Sequence, residues 1–129
     1  MSYNCVKTFI AGGAITEYAV VSMDAAGKVQ VTTAATDASV VGVAQRACSS
    51  GDPVEVVVYG ETRVIASESI TFNSTPLVAA ATAGKVQPCE ASDTTFYQVA
   101  RALPNINRLS AAADTQFNVF FTGPSTLNT

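Results

Sequence analysis

The chain has no histidine and no tryptophan. Without histidine it lacks the usual general base near neutral pH and the commonest metal ligand, so no Ser-His-Asp or Cys-His constellation is available. Charge is scarce as well. Charged residues make up 13% of the chain, about half the usual share, and the net charge is −3. The seven cations, Lys7, Lys28, Arg46, Arg63, Lys85, Arg101 and Arg108, are scattered. They form no basic stripe that could neutralise a run of phosphates, and this excludes nucleic acid as an expected partner. Three cysteines, Cys5, Cys48 and Cys89, are an odd number without a close pair. They supply neither a disulfide framework nor a zinc spacing and read as reduced and partly buried. No apolar run reaches the length of a membrane span, and the N-terminus lacks the basic-then-apolar order of a signal peptide. Synthesis and folding in a cytoplasm, with no membrane partner, are the expectation.

What the chain has in quantity is valine, 17 residues, and threonine, 15, against only 4 leucines. β-Branched side chains fit a pleated, half-buried surface better than a helix, so the composition predicts an all-β fold. At 129 residues the chain suits one domain and can bury roughly two-thirds of its unfolded surface. With so little charge, the surface must be built of Ser, Thr, Asn, Gln and Ala. Such a surface suits contact with a large neighbour.

The chain is organised around a repeat. Ala26-Gly27-Lys28-Val29-Gln30 returns as Ala83-Gly84-Lys85-Val86-Gln87. Ala14-Ile15-Thr16 and Ser69-Ile70-Thr71 stand upstream of the two copies. Downstream, Val43-Ala44 matches Val99-Ala100, and the run Val56 to Gly60 matches Val119 to Gly123. The steps from 14 to 69, 26 to 83, 43 to 99 and 56 to 119 are 55, 57, 56 and 63 residues. Four anchors in one order at nearly one offset predict an internal duplication, with units at about 14–66 and 69–123 in a single β domain spanning 14–123. The excess in the second unit falls within Pro104 to Gln116.

Residues 1–13 precede the first anchor and read as an extended N-terminal arm, with Tyr3, Cys5, Lys7 and Phe9 on one face and Val6, Thr8 and Ile10 on the other. Both faces are partly apolar, so the arm calls for cover on both, either as an edge strand of its own domain or through a contact outside its own subunit. In each unit a hairpin is expected at the Gly27 or Gly84 turn. Strands are expected at Val40 to Ala44, Pro53 to Tyr59, Thr62 to Ala66, Phe96 to Leu103 and Phe117 to Phe121, with Gly60-Glu61 as a turn. Turns this closely spaced point to a barrel or sandwich. Residues 124–129 read as a flexible tail.

No motif carries catalytic chemistry. Asp24, Asp37, Asp52, Asp93 and Asp114 all fall in turn signals, where aspartate bonds its own backbone. Gly27-Lys28 and Gly84-Lys85 fail as phosphate loops. Ser22 and Ala79 stand where the loop needs glycine, and Val29 and Val86 where it needs Ser or Thr. Aligning Val43-Ala44 with Val99-Ala100 sets Gln45 against Arg101 and Arg46 against Ala102, so the repeat keeps an apolar frame and no charged site.

The series Ala14-Ile15-Thr16, Gly27-Lys28-Val29, Val41-Gly42-Val43-Ala44, Ser50-Gly51-Asp52-Pro53-Val54-Glu55-Val56 and Gly60-Glu61-Thr62-Arg63-Val64 resembles a family of small capsid decoration, or cement, proteins of tailed double-stranded DNA phages. The resemblance covers roughly Phe9 to Phe121. It departs from the pattern at Tyr97-Gln98-Val99-Ala100 and at Asn73. It implies a compact β-barrel or β-tulip-like fold similar to that of the phage lambda head-decoration protein. It also implies a homotrimer at local three-fold positions on the outer capsid surface of the virion, with the major capsid protein as partner, no cofactor and no catalysis. Candidate capsid or inter-subunit contacts are Tyr3, Val6, Phe9 and Ile10 of the arm, with Asn105, Asn107 and Arg108 of the long connection. The alternative is a carbohydrate- or receptor-binding β module, which usually gathers aromatics on one exposed face. Here most Phe and Tyr fall inside expected strands.

Overall fold

The computed structural model describes residues 4–33, 39–71, 76–80, 84–88, 97–103 and 110–126. Among them every regular element is a strand: β1 (Asn4–Ile10), β2 (Val20–Met23), β3 (Val29–Val31), β4 (Val40–Ala44), β5 (Pro53–Ile65), β6 (Ile70–Thr71), β7 (Pro76–Ala79), β8 (Val86–Pro88), β9 (Tyr97–Ala102), β10 (Ser110–Ala111) and β11 (Gln116–Thr126). The main sheet runs β3-β2-β4-β5-β11-β9-β7-β8, with β1 on β5, and β10 pairs β6 separately. The sheet curls into a half-barrel. The strands follow from the valine- and threonine-rich composition, and the sheet has the barrel-like form expected.

Several local expectations change. Gly60-Glu61 is no turn, because β5 runs unbroken from Pro53 to Ile65. Gly60 has a φ of 114°, so it bends the strand without reversing it. β11 likewise continues past Gly123, where a tail was expected. Beyond a bulge it pairs Ser125 with Gln98 and Thr126 with Tyr97. Pro88 ends β8 opposite Leu77, on the edge strand of the sheet, where a missing N–H is tolerated.

The ladders of the two halves correspond. Val20, Val21 and Ser22 pair with Val43, Gly42 and Val40, leaving Val41 in a bulge; Pro76, Leu77 and Val78 pair with Arg101, Ala100 and Gln98, leaving Val99 in a bulge. Arg101 therefore occupies the place of Val43, not that of Gln45 as the local Val-Ala identity suggests. Gly27 and Gly84 turn the β2–β3 and β7–β8 hairpins with φ of 80° and 74°. The correspondence also reaches the N-terminal segment. Thr8, Phe9 and Ile10 pair with Glu55, Val54 and Pro53, as Arg63, Val64 and Ile65 pair with Asn118, Phe117 and Gln116. Parallel bridges Ala11–Val29 and Ala66–Val86 then draw the rim strands β3 and β8 back to the ends of β1 and β5. So β1 matches the far half of β5, and the stretch before Ala14 has a counterpart after all.

Two apolar clusters fill the curl. The first gathers Ala11, Ile15, Val21, Val29, Val54 and Val56, with Phe9 packed against it. The second gathers Ala66, Ile70, Leu77, Val86, Phe117 and Val119, and it also takes Val20, Val40 and Val43 from the first half. Each valine buried in this way contributes roughly 1.5–3 kcal/mol. Main-chain bonds join the halves at the same place. Val20 N–H donates to Gly84 O and Gly84 N–H donates to Thr32 O, both at 2.9 Å.

Candidate docking face

β1 lies along one side of β5 while β4 lies along the other, for Val56 and Val57 have partners in both. The outer edge of β1 has no partner among the described residues. Its residues alternate as their pairing requires. Phe9 turns inward onto the first cluster, whereas Val6 and Ile10 remain 46% and 42% exposed. Next to them Tyr59, opposite Cys5, is 54% exposed. Its ring meets that of half-buried Phe120 edge to face, with centroids 5.3 Å apart. Asn4 Nδ2 donates to Glu61 O at 3.2 Å and holds the start of β1 against the bend in β5. The result is an apolar strip beside a row of unpaired main-chain groups, the kind of edge to which another strand can add.

Of the expected contact residues, Val6 and Ile10 lie together on this strip. Phe9 is turned away from it and lies half-buried against the first cluster, while its neighbours Asn4 to Thr8 are exposed on both faces of β1. Tyr3, Asn105, Asn107 and Arg108 lie outside the described residues. Tyr59 and Phe120 went unnoticed in the sequence reading. No local pattern marks them, because residues so distant in sequence meet only through the pairing of β5 with β11.

The charged groups serve the turns and rims. Asp24 Oδ1 accepts from the Ala26 and Lys28 amides at 2.9 and 3.0 Å, and its Oδ2 accepts from Gln30 Nε2 at 2.9 Å. The Gln30 bond, then that of the Lys28 amide, holds this carboxyl below its usual range. Arg46 pairs with Glu55 at 2.8 Å, lowering the Glu55 carboxyl and raising its own guanidinium. Lys85 pairs with Asp114. Among the described residues no cluster of acids and cysteines is arranged to hold a metal ion.

No family model matches the sequence, and no curated protein matches it. Among solved structures, the fold is similar to that of the head fiber gp8.5 N base of bacteriophage phi29. The likeness has a TM-score of 0.68 at 17% identity and covers 98% of this chain and 100% of that one. At that identity the likeness is one of fold.

Proposed function

We propose that this protein is a structural component of a phage head, bound to the outside of the capsid as a decoration or cement protein. The observation that carries the reading is the likeness, over 98% of this chain and the whole of the other, to the N base of a phage phi29 head fibre. The unpartnered edge of β1 and the Val6, Ile10 and Tyr59 strip beside it support a role in attachment, and the turn-bound acids support a role without catalysis. On this reading the protein assembles as a homotrimer and braces the major capsid protein. Three copies about an axis form a closed unit in which each contact stays modest.

Purified heads of the phage that encodes it, analysed by mass spectrometry and cryo-electron microscopy, should contain the protein at fixed copy number on the outer surface. The isolated protein should scatter light as a trimer, or become one on the shell. Its absence from purified heads would overturn the assignment. A monomer in solution, seen as isolated copies on the shell, would overturn the trimer alone.

A further inference from the structure

The two halves of the chain meet head to tail. The first presents a face around Val20, Val40 and Val43, and the second inserts its Gly84 turn there. The fit leaves no room for a side chain. A Cβ on Gly84 would come within 2.7 Å of Ala19 Cβ and 3.1 Å of Val31 Cγ1.

An interface of this kind joins unlike surfaces, so the second half has a corresponding face of its own and the first half has a corresponding turn. Contacts of that type propagate unless something stops them. Matching of the ladders places the second face at Pro76, Gln98 and Arg101, and the spare turn at Gly27. The turn remains well suited to insertion: φ is 80° and nothing stands within 4 Å of an added Cβ. The face does not. Where Val20 donates its N–H to the inserted glycine, Pro76 has no N–H to give. Where Val43 and Val40 are buried, Arg101 is exposed and Gln98 half-exposed, and burying them under a turn would cost desolvation. Pro88 stands where Val31 flanks the inserted turn.

We propose that the surface around Pro76, Gln98 and Arg101 is a docking face altered to refuse the Gly27 hairpin of a second copy, so that head-to-tail stacking stops within the chain. Copies on a common support then stay discrete.

The test is sedimentation velocity over a concentration series on P76V/Q98V/R101V, with circular dichroism as the check on folding. The variant should gain species larger than the wild type's own state, in a share that rises with concentration. Adding Gly27→Ala, which alone leaves fold and assembly unchanged, should abolish them, because the extra methyl would meet a neighbour as tight as the one around Gly84. A folded triple variant that sediments as the wild type does would overturn the proposal. So would gained association that survives Gly27→Ala, since that is general stickiness of the added valines. Should the triple variant fail to fold, R101V alone becomes the deciding variant. A weaker concentration-dependent species sustains the proposal and none overturns it.

Discussion

At the scale of single residues, the two hairpin glycines separate backbone strain from crowding. Both have positive φ, so alanine at either position bears the left-handed cost of about 1 kcal/mol. Only Gly84 is also enclosed. Gly27→Ala should therefore lower stability by about 1 kcal/mol and Gly84→Ala by about 2–4 kcal/mol, as overpacking is added. Urea denaturation of both variants measures the difference, and equal losses would mean that the Gly84 turn is not held against Ala19. The Arg46–Glu55 pair makes a prediction about pH. The folded Glu55 carboxyl lies below its ordinary 4.5. The stability it contributes is thus complete above that value and is lost as pH falls through the lowered one. The gap in Tm between wild type and Glu55→Gln should be small at neutral pH, as for any exposed pair, and should close in acid once the Glu55 carboxyl is protonated. A gap that widens in acid would contradict the assignment.

At the scale of elements, β1 has two jobs that can be separated by mutation. Its inner side contributes to the fold, so Phe9→Ala should cost about 2–3 kcal/mol. Its outer side is spare, so the double change Val6→Ser and Ile10→Ser should leave thermal stability within about 0.5 kcal/mol while weakening attachment to purified heads at least tenfold in a co-sedimentation assay. Unchanged attachment would move the contact elsewhere. Much of this architecture was legible in the sequence. Valine and threonine announce strands, and Gly27 and Gly84 announce their hairpins. Val40 to Ala44 is the strand expected there. The errors have physical causes. A glycine flanked by two β-patterned runs reads alike whether it reverses the chain or only bends it, and so β5 was divided at Gly60. The bulges at Val41 and Val99 displaced the register of β4 and β9 in a way that a local Val-Ala match conceals. The counterpart of β1 was present as Ile10-Ala11 with Ile15-Thr16, against Ile65-Ala66 with Ile70-Thr71 at the same spacing. It was missed because the strongest repeat lies further on. As for the docking strip, Val6 and Ile10 could be read from alternation, but Tyr59 and Phe120 come together only through the pairing of β5 with β11.

At the scale of the molecule, the halves correspond in plan but do not stand alone. A fragment of residues 1–66 would leave Val20, Val40 and Val43 without the second half that buries them, and Val64 without Phe117. It should bind a dye specific for exposed apolar surface and lack a cooperative thermal transition, whereas the full chain should unfold in one. Two transitions in the full chain would show that the halves are independent. The reason for a single transition is β5, which completes the ladder of β1 before Gly60 and opens that of β11 after it. The same continuity sets the order of events during synthesis. β1 waits unpaired until β5 has emerged, and the far half of β5 waits in turn for β11. Closure by pairings so distant in sequence is slow, and through that interval Val64 and Ile65 form an uncovered strand. A chain this poor in charge must complete β11 before it is protected from its neighbours on the polysome.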